Sequence, residues 1–264
     1  ALVNGIYIVQ AGTGTDQIGR FDIMVDTDLN AIDTFTWQLI PINNETCQKD
    51  EEMEQFINHY RKETDKKYDR IVTRFTSCLT HPARNQETAL GNLMADILCD
   101  SLGIDLMLMG SGAIRSYELG PVVHYQDLVE CLPYDEAVYM LQVNGAQMER
   151  MLRRILREEA FEGEHTEFYQ FSHGMQIIWS RGQQEFETLT LNGKALDQQK
   201  LYTIALSKFH YMNIQNFLNI SLEEIKINAP PRVLATSYRD IVEEYMMMNP
   251  HLSSEVEGRL IVKT

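Results

Sequence analysis

The sequence predicts an α+β fold, a mixed α/β sheet with flanking helices, on three observations. Apolar runs of strand length are interleaved with amphipathic stretches at the 3.6-residue period. Asn192-Gly193 is a hairpin-grade turn beside one of the strands, so part of the sheet is built from hairpins. The 264 residues are ample for a sizeable core in one large domain, or in one domain with an appendage.

Residues 1–45 read as strands in "GIYIVQAG", "IGRFDIMVD" and "AIDTFTWQLIPI". That stretch is too short and too open to bury a core of its own. It is expected to be the end of a sheet whose remainder lies outside this sequence. The chain opens without an initiator Met and already inside a strand-like pattern, as a fragment or processed form would; the missing leader then says nothing about export. Residues 46–67 are polar and charged, with apolar spacing at Met53, Phe56, Ile57 and Tyr60, and are expected to form a solvated connecting helix.

Residues 68–264 are expected to form a fuller domain. In "ETALGNLMADILCDSLG", Leu90, Leu93, Met94, Ile97 and Leu98 share one helical face, Thr88 is the candidate N-cap and Gly103 the terminator. "DLMLM" reads as a buried strand and "AVYMLQV" as another. The amphipathic "AQMERMLRRILREEAF" follows, with Met148, Met151, Leu152 and Ile155 inward. "MQIIW", "FETLTL" and "KLYTIAL" are strands, "SYRDIVEEYMMM" a late helix and "GRLIV" a closing strand.

The formal net charge of −15 disfavours nucleic acid and anionic membranes as partners. A small anionic substrate would need arginines placed locally against that field. No apolar run reaches the roughly 18 to 20 residues of a membrane span. The four cysteines have no C-x-x-C spacing; Cys99 and Cys131 lie in apolar runs and read as free buried thiols. The histidines show neither H-x-H nor H-E-x-x-H spacing, so no metal ligands are assigned in this chain.

"LMLMGSGAIRS", residues 106–116, ends a buried strand in Gly110, Ser111, Gly112 and Ala113, then delivers Arg115. Small residues let a ligand approach the main chain, exposed N–H groups in such a loop favour anions, and an arginine adds a two-pronged fork for phosphate or carboxylate. A tight turn followed by a surface arginine has the same sequence.

In order, "ARNQETALGNLMAD", "LMLMGSGAIRS", "ECLPYDEAVYMLQVNGAQM", "EFYQFSHGMQIIW", "LTLNGKAL" and "LYTIALSKFHYMNIQNF" resemble the C-terminal domain of the 5′-nucleotidase family, two-domain metal-dependent phosphoesterases. The resemblance spans about residues 70–264, and residues 1–45 look like the end of that family's metallophosphatase domain. It implies a 5′-nucleotidase C-terminal-domain-like fold and a role in nucleotide recognition. The family's metal-ligand motifs do not occur here, so the resemblance puts a divalent metal pair of the Zn, Mn or Co class on an N-terminal catalytic domain, this chain's implied partner. The chain by itself is expected to be inactive.

By the same resemblance, Arg115 and Arg84 match arginines near the substrate phosphate, and Tyr134 and Phe209 match rings that sandwich the base. Gly110 stands where the family has an asparagine that often bonds the base, and Gly112 follows it in the loop. Gln215 stands in place of an aspartate that commonly holds ribose hydroxyls, and a glutamine lacks its charge-assisted acceptor strength. His165, His173 and His210 are left outside the site, since isolated histidines are more often structural. A nucleotide or nucleoside is the expected ligand. A non-catalytic binding module that keeps the fold is the alternative, supported by the altered "NIQN" segment. Relatives are often exported, whereas four unpaired cysteines fit a reducing compartment equally well.

Overall fold

The computed structural model describes residues 1–12, 14–161 and 167–264, and the chain divides into two units, Ala1–Thr64 and Asp65–Thr264. In the first, β1 (Leu2–Val3) pairs with β2 (Ile6–Tyr7), and β3 (Gln17–Asp26) with β4 (Ala31–Pro41) in a long antiparallel hairpin. Of "GIYIVQAG" only Ile6 and Tyr7 are strand. Phe21 packs edge-on against Phe35 and Trp37 along the β3–β4 hairpin, yet no described residue of this unit is buried. The solvated helix is α1 (Glu51–Tyr68), which buries no side chain. Glu51, Glu52 and Glu54 in its first turn and Lys66 and Lys67 in its last complement the helix dipole.

The second unit continues with β5 (Ile71–Arg74), β6 (Leu79–Thr80), α2 (Ala89–Leu102) and β7 (Leu106–Gly110). Next come β8 (Glu118–Leu119), β9 (Val122–His124), α3 (Tyr125–Cys131), β10 (Val138–Asn144) and α4 (Gly145–Ile155). Five strands follow: β11 (Tyr169–Phe171), β12 (Met175–Ser180), β13 (Glu185–Leu191), β14 (Lys194–Ala195) and β15 (Leu201–Ser207). The chain closes with α5 (Lys208–Met212), α6 (Ile214–Leu218), α7 (Leu222–Asn228), β16 (Arg232–Ala235), α8 (Tyr238–Met248) and β17 (Leu260–Lys263).

A mixed sheet in the order β11-β7-β15-β10-β16 separates two cores. Alternate side chains of a strand point to opposite faces, so Met107 and Met109 of β7 enter one core while Leu106 and Leu108 enter the other. The first core is closed by α2, α3 and α8, the second by α4, α6, α7 and a sheet ordered β14-β13-β12-β17. This is the mixed α/β architecture the sequence predicts. β7 reads as a continuous apolar run because both its faces are covered.

Local chemistry sets the ends of these elements. Thr88 caps α2 by accepting from the Gly91 N–H, and Gly103 ends it in the left-handed region at φ 62°. Asn192 and Gly193 take φ of 52° and 72°, the turn that joins Leu191 to Lys194. α4 stops at Ile155, short of the apolar pattern that runs to Phe161. Leu156 and Ala160 are still buried, but through a 3₁₀ turn at Glu158–Ala160.

Candidate functional site

β7 ends at Gly110 and the chain makes a 3₁₀ turn over Ser111–Ala113. Buried polar groups hold this turn. Ser111 donates its N–H to the Phe168 carbonyl at 2.8 Å. The Ser111 carbonyl lies 3.1 Å from His81 Nε2, and His81 Nδ1 lies 2.8 Å from Thr88 Oγ1. With Nε2 donating to the carbonyl, Nδ1 accepts from the threonine hydroxyl. Gln170 Nε2 donates to Ser111 Oγ at 3.0 Å and to the Gln86 carbonyl at 2.9 Å, and Gln170 Oε1 accepts from the Thr88 N–H at 3.1 Å. Gly91 makes room for this side chain; a Cβ there would collide with the Gln170 carboxamide. Burial lowers the His81 pKa; its bond to the Ser111 carbonyl opposes that, and the Arg84 charge adds to it.

The "ETALGNLMAD" block anchors the end of the chain. Glu87 Oε1 accepts from Asn92 Nδ2 at 2.7 Å and from the Glu257 N–H at 2.8 Å. Asp96 takes both prongs of Arg259, at 2.6 and 2.7 Å, and Arg259 also donates to the Phe171 carbonyl and to Glu257. These polar residues are structural, binding residues 255–260 to α2.

A cavity of about 320 Å³ opens beside the turn. It brings together five of the expected residues: Arg84, Gly112, Arg115, Tyr134 and Phe209. Arg115 is exposed, its backbone N–H bonded to the Cys131 carbonyl at 2.8 Å and its guanidinium 5.5 Å from the Tyr134 ring centre. Arg84 is also exposed, with a guanidinium nitrogen against Gly112. Tyr134 and Phe209 are 52% and 46% exposed.

Two expected residues stand apart. Gln215 is exposed on α6 and does not line the cavity. Gly110 is buried, and a Cβ on it would run into the His210 imidazole. His210 therefore fills the space that a side chain at position 110 would take, and it lines the cavity. Its ring is buried, with Nδ1 3.2 Å from Ser207 Oγ and Nε2 3.4 Å from Glu167 Oε2. His173 lies elsewhere, bonded to Asp100 at 2.6 Å, and His165 falls outside the described residues.

Sequence reasoning also missed Glu136, Glu167 and Tyr238 in the lining. Glu136 Oε2 accepts the Phe209 backbone N–H at 2.9 Å. Burial, with Glu136 and Asp135 adding to it, pushes the Tyr238 hydroxyl pKa well up, so Tyr238 is a neutral phenol. That hydroxyl is buried with no hydrogen-bond partner among the described residues. The described residues gather no group of three or more His, Cys, Asp or Glu able to hold a metal ion, so an implied metal pair does not fit them. No helix among them is long and apolar enough to cross a membrane.

The family model for the 5′-nucleotidase, C-terminal domain, matches residues 67–220. A 5′-nucleotidase of Vibrio cholerae is 21% identical over 227 residues, which are 78% of this chain and 39% of that protein. Endonuclease YhcR of Bacillus subtilis is 24% identical over 152 residues, 57% of this chain and 12% of that one. Among solved structures, a 5′-nucleotidase precursor from Thermus thermophilus is similar with a TM-score of 0.70 at 16% identity, over 96% of this chain and 51% of that one, a likeness of fold. The chain thus spans 39% and 12% of the two sequence relatives and about half of the solved structure.

Proposed function

The chain belongs to the 5′-nucleotidase C-terminal domain family, and from that premise we propose that its cavity is the nucleotide-recognition site of a metal-dependent phosphoester hydrolase. Arg115 and Arg84 hold the phosphate, each guanidinium presenting parallel N–H donors to two oxygens at once. Tyr134 and Phe209 clamp the base, since stacking contributes about 1 to 3 kcal/mol per base whichever base it is. Gly112 keeps the wall beside Arg84 free of a side chain, and Gly110 admits His210. Gln215 does not line the cavity, and no role is assigned to it. The observation that carries the proposal is convergence: four separate segments deliver two exposed arginines and two half-exposed rings to one cavity.

The metal pair and the hydrolytic step are assigned to a catalytic domain outside these 264 residues, and no step is derived through them. The test is calorimetry of this chain with nucleosides, nucleoside monophosphates and inorganic phosphate, plus a phosphate-release assay with Mn²⁺, Zn²⁺ or Co²⁺. Binding of both nucleoside and nucleotide without phosphate release is the expected result. Failure to bind either ligand overturns the recognition role, and metal-dependent phosphate release from a nucleotide overturns the assignment of the chemistry to another domain.

A further inference from the structure

We infer that Glu136 makes this cavity select guanine over adenine; the inference rests on the nucleotide clamp proposed above. Glu136 lies two residues after Tyr134, and its Oε2 holds the backbone N–H of Phe209 at 2.9 Å. The carboxylate is therefore tied to both ring-bearing segments and lines the same cavity as the two rings. The segment is fixed at two further points: the Glu136 carbonyl accepts from the Tyr238 N–H at 3.0 Å, and the Ala137 carbonyl from the Lys208 N–H at 2.8 Å. Glu136 Oε1 accepts no hydrogen bond among the described residues, which leaves most of the group's lone pairs for a ligand.

Among the described residues, the lining holds no asparagine or glutamine. A carboxamide can turn to donate or accept, whereas an ionised carboxylate only accepts. It also repels a phosphate, so the charged end of a nucleotide goes to the arginines and the neutral base is left to meet Glu136. Guanine offers two adjacent donors, N1–H and the 2-amino group, spaced to match the two oxygens of a carboxylate. Adenine turns the lone pair of N1 toward the same place and has a single amino group beside it. An acceptor facing an acceptor is disfavoured, and a matched two-point contact discriminates between bases. Tyr238 also lines the cavity, but its hydroxyl is buried away from it.

Glu136→Gln separates the outcomes, because its amide oxygen still accepts the Phe209 N–H and keeps the clamp together. Guanosine, inosine and adenosine are titrated into both proteins. In the parent, guanosine binds about tenfold more tightly than adenosine, and inosine, which has N1–H but no 2-amino group, falls between them. In the variant, guanosine loses about tenfold and adenosine less than about twofold. The comparison of three nucleosides on the parent needs no variant, so poor folding of Glu136→Gln would not shelter the inference. Equal binding of guanosine and adenosine by the parent overturns it. So does an equal loss of both in the variant, which would mean that Glu136 serves the sugar or only positions Phe209. If the parent binds no nucleoside, the clamp itself falls and this inference with it.

Discussion

Arg259 and Arg115 are each a single guanidinium delivered by a short segment, and their surroundings differ completely. Arg259 is 4% exposed and spends its donors on Asp96, Glu257 and the Phe171 carbonyl. Arg115 is exposed, with one long bond of 3.4 Å to the Gly112 carbonyl of its own turn and a ring beside it. The same contrast divides the whole site. Beneath the turn, His81, Thr88, Gln170 and Ser111 satisfy one another; on the cavity wall, Arg84, Arg115, Tyr134 and Phe209 keep surface and donors exposed. A polar side chain whose partners are all within the protein builds the fold, and one left exposed in a concave wall is available to a ligand.

The largest test of that contrast is stability. Arg259→Ala leaves the partly exposed Asp96 carboxylate with only the His173 N–H among the described residues, and is expected to cost about 3 kcal/mol, at the low end for a broken buried pair. Arg115→Ala should stay within about 0.5 kcal/mol, as surface changes do. Urea unfolding of the two variants measures both, and comparable losses would erase the distinction. A smaller effect is expected at the boundary between the regions. Gly110→Ala forces a methyl into His210 and should cost about 1 to 3 kcal/mol. Adding His210→Ala should return part of that loss, so the two changes are non-additive; strict additivity would show that His210 does not fill the space at position 110.

The smallest effect is in pH. Burial keeps the folded-state pKa of His81 below its unfolded value near 6.5. As pH falls through about 6.5 the unfolded chain takes up a proton that the folded chain refuses, so stability declines in that direction until the folded pKa is passed. His81→Gln should flatten this part of the stability profile. An unchanged slope would place the titrating group elsewhere.

The covalent neighbourhood made much of this visible in the sequence. Thr88 and Gly103 bracket α2 because caps act within a turn, and the glycine turn after β7 stands out because a buried strand stops at small residues. What stayed hidden depends on partners distant in sequence. The roles of Glu87, Asn92 and Asp96 appear only when residues 255–260 come back to them. His210 reads as an isolated histidine until Gly110 is seen to leave it space, and Glu136 as a surface charge until it caps the Phe209 N–H. Gln215, placed in the site by matching a short block, lies outside the cavity lining; Ile214 and Leu218 are the residues that α6 buries.

Calorimetry of Phe209→Ala and Arg115→Ala, each with a nucleoside and its monophosphate, tests most directly whether this cavity recognises a nucleotide in two parts. Phe209→Ala should weaken both ligands by about 1 to 3 kcal/mol, because stacking does not involve the phosphate. Arg115→Ala should weaken the monophosphate and leave the nucleoside nearly unchanged, with added salt eroding the monophosphate's advantage in the parent. If Arg115→Ala weakens nucleoside and monophosphate equally, the arginine supports the turn rather than a phosphate, and the division of the site into base clamp and phosphate fork is contradicted.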